Sequence, residues 1–320
     1  MFGQIVGTGM YRPERVMSNE DLSKLVDTSD EWIKERTGIE RRHIIDDDTT
    51  VSMAAKASKI AMKNANILPE KLDMILFATF SSNVILPSAA CEVQKEIGAH
   101  NAVCFDLNAA CSGFVFAYNT AQAYIASGIC KHVLVIGAES LSNLLDWTDR
   151  GTCILFGDGA GAVILSEDKD AKFQTVMFSN GEKGDALTCE SRHQKGFEEE
   201  SNRVKSFLKM DGKDVFQFAV KEVPKSIEEL LKNAEIQKED VDYFILHQAN
   251  ERIIKSVAKR LSVDIDKFPM NLMEYGNTSS ASIPILIHEM QEMGQLKKGQ
   301  NIIIAGFGAG LSWGATYLKW

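Results

Sequence analysis

The 320-residue chain repeats itself at an offset of 169 positions, and this limits its fold more than any other feature. Lys63-Asn64-Ala65-Asn66-Ile67 recurs as Lys232-Asn233-Ala234-Glu235-Ile236. Asp73 before Met74-Ile75-Leu76-Phe77 recurs as Asp242 before Tyr243-Phe244-Ile245-Leu246, and Val133-Leu134-Val135-Ile136-Gly137 as Ile302-Ile303-Ile304-Ala305-Gly306. Three matches in order at one offset indicate a duplicated unit. Each half reads helix, buried strand, small-residue turn, helix, buried strand. Each is expected to close on a Gly-rich hairpin, Phe156-Gly157-Asp158-Gly159-Ala160-Gly161 and Gly306-Phe307-Gly308-Ala309-Gly310. Strands alternating with helices predict an α/β fold, with mixed sheets under helical cover in two pseudo-symmetric halves, 1–170 and 171–320.

Composition narrows the class. Apolar content of 45% with 25% charged residues suits a soluble globular protein. The net charge of −9 argues against general nucleic-acid or anionic-membrane binding. No apolar run approaches the roughly 18 residues of a transmembrane helix, and Met1-Phe2-Gly3-Gln4-Ile5 lacks a secretory pattern. Six cysteines without a Cys-x-x-Cys pair, and six scattered histidines, predict reduced cytoplasmic thiols and no metal site. The acidic runs Asp46-Asp47-Asp48 and Glu198-Glu199-Glu200 read as exposed loops.

The turn Asn108-Ala109-Ala110-Cys111-Ser112-Gly113-Phe114 has a chemical character of its own. It links a segment that reads as a buried strand, Ala102 to Leu107, to a helix from Phe114 to Ser127 with Val115, Tyr118, Ala121 and Ile125 on one face and Gln122 as the weak position. A thiol there lies at a helix N-terminus, which favours the thiolate, and its small neighbours leave room for a thioester. The repeat maps Cys111 onto Ser280, beside Asn277, and the strand ending at Ala78 onto the one ending at His247. Equivalent turns meet near a pseudo-axis, so Cys111, His247 and Asn277 could share one pocket. Taken singly, each also reads as an ordinary residue: a buried thiol, a satisfied strand-end histidine, a turn asparagine.

Several motifs together resemble those of the β-ketoacyl-acyl carrier protein synthase III family. They are Ala109 to Phe114, His247-Gln248-Ala249-Asn250, Gly276-Asn277-Thr278-Ser279-Ser280-Ala281-Ser282, Trp32-Ile33-Lys34-Glu35-Arg36-Thr37-Gly38-Ile39 and Asp149-Arg150-Gly151-Thr152. The likeness runs from Gly7 to Trp320 and implies a thiolase-like fold of two βαβαβ-type halves layered α/β/α/β/α. It implies a decarboxylating Claisen condensation. An acyl group passes from coenzyme A to Cys111, and malonyl-acyl carrier protein then loses carbon dioxide and attacks it. His247 and Asn277 would stabilise the enolate, and the backbone N–H groups of Cys111 and Ala309 the tetrahedral oxyanion. Ala309 departs from the glycine of many relatives. Coenzyme A is a substrate, and no resident cofactor is implied.

The resemblance also implies binding surfaces. The adenine of coenzyme A would stack between Trp32 and Arg150, with Thr28 nearby and Arg36 on the phosphates. Gly212, Phe216 and Asn250 would line the pantetheine channel. Arg252, Lys255, Lys259 and Arg260 gather on one side of the helix from Asn250 to Leu261, a face suited to an acidic carrier protein. In a homodimer, Leu86 would reach into the neighbour's acyl pocket, where its small size would admit longer or branched primers. Asn277 excludes the Cys-His-His elongating synthases, and Leu311-Ser312-Trp313-Gly314 lacks a thiolase's second cysteine. The alternatives are a specialised polyketide or quinolone condensing enzyme, a papain-type hydrolase and a non-catalytic acyl-binding relative.

Overall fold

The computed structural model describes residues 1–190 and 206–320, and the run Glu198-Glu199-Glu200 lies outside the described residues. Two mixed sheets face each other across a pair of central helices. The N-terminal sheet is ordered Phe2–Tyr11, Gly159–Asp168, His132–Glu139, Met74–Ala78, Val103–Leu107. The C-terminal sheet is ordered Tyr243–Leu246, Asn301–Gly308, Ser312–Lys319, Phe173–Ser179.

Strand side chains alternate between layers because successive residues point to opposite faces. Met74, Leu76, Val133 and Val135 meet Ile245, Ile302 and Ile304 around the central helices Gly113–Ala126 and Ser282–Glu292. Ile75, Phe77, Leu134 and Ile136 face outward onto the helices Thr50–Ala65 and Ala89–Ile97. On the far side, Phe244, Leu246, Ile303 and Phe307 pack under the helices Gly212–Ala234 and Glu251–Leu261. This is the five-layer α/β/α/β/α arrangement. Gln122, the polar position on the first central helix, is buried because its amide bonds both the N–H and the carbonyl of Gly3 on the edge strand, at 2.6 and 2.8 Å.

The repeat survives in fine detail. Adding 169 to the turn Ala110–Ser112 gives the turn Ser279–Ala281, and adding it to the strand His132–Glu139 gives Asn301–Gly308. Among the described residues, four of the five non-glycine positions with positive φ pair at this offset, Asn66 (53°) with Glu235 (55°) and Ala110 (47°) with Ser279 (51°).

Three expectations need correction. The first-half strands around Phe156–Gly161 are antiparallel neighbours, but residues 140–158 separate them and carry the helices Leu141–Leu144 and Arg150–Cys153. Asp158 holds this connection by accepting from Ile45 N–H and from the N–H and hydroxyl of Ser142. Among the described residues only the second half has a tight Gly-rich hairpin. Also, Asp48 is no idle loop residue, since it accepts from Tyr11, Ser52 and Lys56. The strand before Cys111, expected to be buried, is the sheet's edge with Val103 exposed and the rest half-buried, and it has no strand counterpart. Its mate is the short helix Leu272–Tyr275, where Leu-Met-Glu favours helix and Gly276 ends it.

Candidate active site

Cys111 sits in the turn Ala110–Ser112, which hands the chain from the edge strand to the first central helix. Ala110 takes the left-handed conformation that makes the elbow, and its N–H is held by Asn108 Oδ1 at 3.2 Å. Across the pseudo-axis Ser279 N–H is held in the same way by Asn277 Oδ1, at 2.8 Å. Asn277 is further clamped by backbone bonds from its N–H to the Leu155 carbonyl and from Gly157 N–H to its own carbonyl. With Oδ1 occupied, the Nδ2 donor of Asn277 is left to face the cavity, and no hydrogen bond among the described residues uses it.

His247 follows the strand Tyr243–Leu246 and is almost fully buried, with its ring edge-on to Phe307 at 5.1 Å. Its Nδ1 lies 2.7 Å from Ser282 Oγ, which also accepts from Gln248 N–H. A Ser282 hydroxyl that accepts this N–H and donates to Nδ1 fixes the neutral ring with its proton on Nε2. Burial lowers the imidazole pKa to about 3, so the ring is a neutral donor at physiological pH.

Cys111 departs from expectation. Burial pushes its thiol up to about 12, against which act the nearby Ser279 hydroxyl and the residue's own backbone N–H; the Glu139 carboxylate adds to the rise. Desolvation outweighs the helix N-terminus, because the sulfur is enclosed and precedes the first turn of the helix. Enclosure thus favours the thiol over the thiolate, so a proton has to leave as the acyl group arrives.

Cys111, His247 and Asn277 line one cavity of about 690 Å³, together with Trp32, Arg36, Gly212, Phe216 and Asn250. Cys111 also opens on a second cavity of about 370 Å³, bounded by Phe80, Ile85, Leu144, Phe156, Leu208 and Ala309. The thiol therefore stands at the junction of two chambers. Ala309 belongs to the second, while Gly308 backs directly onto Cys111. The Gly-rich hairpin is tied to the elbow by a Ser112–Ser312 hydroxyl contact of 2.8 Å.

The remaining predicted residues spread outward. The guanidiniums of Arg36 and Arg150 both lie over the Trp32 ring, at 4.7 and 4.9 Å, so no gap for a base stands open between Trp32 and Arg150. Thr28 Oγ1 is buried without a hydrogen-bond partner among the described residues. Asn250 caps the basic helix through Arg252 N–H and donates to the Arg36 carbonyl at 3.1 Å. Arg252, Lys255, Lys259 and Arg260 are exposed, but Arg252 pairs with Glu35 and Lys255 with Glu251. Leu86 is 84% exposed and lines neither of the two cavities at Cys111, whereas Ile85 lines the smaller one.

Sequence reasoning missed Ser282, Ser312, Ser279 and Glu139. The first three were present as hydroxyls in quoted motifs, and a buried hydroxyl needs a partner. Glu139 ends an apolar strand, and nothing local marked it as buried.

Comparison with known proteins agrees with this picture. Residues 105–184 match the family described as 3-oxoacyl-[acyl-carrier-protein (ACP)] synthase III, and residues 231–320 match its C-terminal model. The β-ketoacyl-[acyl-carrier-protein] synthase III of Clostridium acetobutylicum is 49% identical over 319 residues, covering 99% of this chain and 98% of its own. The crystal structure of 3-oxoacyl-[acyl-carrier-protein] synthase III from Aquifex aeolicus has a TM-score of 0.94 at 42% identity, covering 99% of this chain and 100% of that one. The priming β-ketosynthase from the R1128 polyketide biosynthetic pathway also gives 0.94, at 35% identity, covering 99% of this chain and 96% of that one. Fold and site together define a condensing enzyme of the thiolase superfamily, an acyltransferase. The chain belongs to the 3-oxoacyl-[acyl-carrier-protein] synthase III family, the initiating ketosynthases of fatty acid synthesis.

Proposed function

We propose that this protein condenses an acyl-coenzyme A primer with malonyl-acyl carrier protein, releasing carbon dioxide and coenzyme A, with no resident cofactor. One observation carries the reading: Cys111, His247 and Asn277 open on a single cavity whose outer wall holds Trp32, Arg36 and Asn250. That cavity suits a long thioester arm with a phosphorylated nucleotide at its far end. Cys111 takes the acyl group, with the N–H groups of Cys111 and Ala309 as oxyanion donors. The acyl chain then occupies the smaller chamber. His247 Nε2–H and Asn277 Nδ2–H next converge on the malonyl thioester oxygen as the carboxylate leaves. Neutral donors suit this step, since an enolate develops its charge against them without a proton having to move first.

Arg150 swings off Trp32 to admit the adenine, Thr28 offers its unpartnered hydroxyl there, and Gly212 and Phe216 line the channel. Arg252, Lys255 and Lys259 form the carrier-protein face, with Lys259 and Arg260 making no ion pair among the described residues. The halves divide as 1–170 and 171–320; the strands of one sheet lie within residues 2–168 and those of the other within 173–319. A homodimer is favoured by the uncovered edge strand Val103–Leu107, whose Val103 is 60% exposed, and by the exposed Ile85 and Leu86. Leu86 then enters the partner's acyl chamber. No described helix is long and apolar enough to cross a membrane, and the reading puts the enzyme in the cytoplasm.

The likeness to a polyketide priming synthase supports a second reading, priming of a specialised pathway. Turnover with malonyl-acyl carrier protein and acetyl-, butyryl- or isobutyryl-coenzyme A tests the first. Activity with malonyl-coenzyme A but not with the carrier protein would favour a specialised pathway.

A further inference from the structure

We propose that Ser279 is a further catalytic residue, whose hydroxyl donates a hydrogen bond to Cys111 Sγ as the thiol loses its proton to attack the acyl thioester. Ser279 is completely buried, and its Oγ is one of three buried side-chain N or O atoms without a hydrogen-bond partner among the described residues. Such orphans are rare, because a buried hydroxyl that has left water loses hydrogen bonds it does not recover. Its neighbours are occupied: Ser280 Oγ bonds the Ala78 carbonyl and Glu139, and Ser282 Oγ bonds His247 and Gln248 N–H.

The backbone reinforces the case. Ser279 stands at φ 51°, a conformation costly for a residue with a Cβ, and Asn277 Oδ1 holds it there. Its turn packs directly against the turn of Cys111. A thiolate is a far stronger acceptor than a neutral thiol, so a partnerless hydroxyl beside Cys111 gains a bond only as the sulfur loses its proton. A hydroxyl at this place favours the thiolate over the thiol. In the transfer, the Cys111 sulfur bonds the acyl carbon, the bond from that carbon to the coenzyme A sulfur breaks, and the thiol proton leaves on coenzyme A. Ser279 keeps its own proton throughout.

This inference rests on Cys111 being the acyl acceptor, so the test reads both. Iodoacetamide alkylation of the Cys111 peptide is followed by mass spectrometry across pH, alongside acyl transfer from acetyl- and butyryl-coenzyme A, in the full chain and in Ser279→Ala. The expected result is that Ser279→Ala slows both reactions about tenfold, moves the alkylation profile to higher pH and leaves coenzyme A binding unchanged. Ser279→Gly, which suits the left-handed backbone, gives the same readout should the alanine variant not fold. Profiles and rates that overlay those of the parent would overturn the role of Ser279 while leaving Cys111 as acceptor. A parent that forms no acyl adduct at Cys111 would instead remove the underlying reading.

Discussion

Ser280 is the pseudo-symmetric mate of Cys111, and it faces the buried carboxylate of Glu139 at 3.0 Å. Glu139 Oε2 accepts from Thr79 and Ser81 hydroxyls and from the N–H groups of Phe80 and Ser81. Among the described residues Oε1 has only Ser280, whose single proton is also directed at the Ala78 carbonyl, 2.9 Å away. Below about pH 7, where burial favours the protonated acid, Oε1 can donate to Ser280 while Ser280 donates to Ala78. One buried acid thus ties the end of its own strand to the strand beside it and to the turn that carries Asn277.

Burial raises the Glu139 pKa from 4.5 to about 7. A raised acid contributes stability that is complete below pH 4.5 and is lost as pH climbs through about 7. Glu139→Gln, which mimics the protonated form, is expected to flatten this dependence. Unfolding free energies from denaturant titrations at pH 5 to 8 should fall for the parent by up to a few kcal/mol and fall less for the variant. Equal slopes would contradict the assignment.

Gly308 has no room for a side chain. A Cβ there would lie 2.9 Å from both the N and the Cβ of Cys111, with backbone on one side. Gly308→Ala should destabilise the protein by about 1–3 kcal/mol and displace the nucleophile. Thermal melting together with acyl transfer checks both effects, and a variant with native stability and rate would show that the elbow has slack.

Asn277→Ala removes one of the two donors aimed at the enolate. Condensation should fall by about a hundred- to a thousandfold, while the Cys111 acyl adduct still forms. Separate measurement of the two half-reactions decides this. Equal loss in both would mean that Asn277 acts by holding Ser279 and the turn.

Trp32→Ala should raise the KM for acyl-coenzyme A at least about tenfold and leave kcat within a few-fold, as expected for a contact remote from the reacting atoms. Arg150→Ala should do less, because Arg36 still covers the ring at 4.7 Å. A fall in kcat with KM unchanged would place Trp32 in another role.

The duplication made most of this architecture legible, since the repeat carries both strand pairs, both central helices and both elbows at one offset. What the sequence concealed lies where the halves diverge or where burial decides. Residues 103–107 and 272–276 hold equivalent places, yet one is a strand and the other a helix ended by Gly276. The thiol of Cys111 was expected to ionise easily at a helix N-terminus, but enclosure by both halves pushes it the other way. Enclosure is a tertiary property. No local pattern announces that Glu139, or the hydroxyls of Ser279 and Ser282, will be sealed beside the site.

The most direct measurement is intact mass after incubation with a panel of acyl-coenzyme A thioesters, for the parent and for Cys111→Ala. The expected result is a single acyl adduct on the parent, ranked by primer, and none on the variant. An adduct that persists in Cys111→Ala, or none on the parent with any thioester, would contradict acyl transfer from coenzyme A to Cys111.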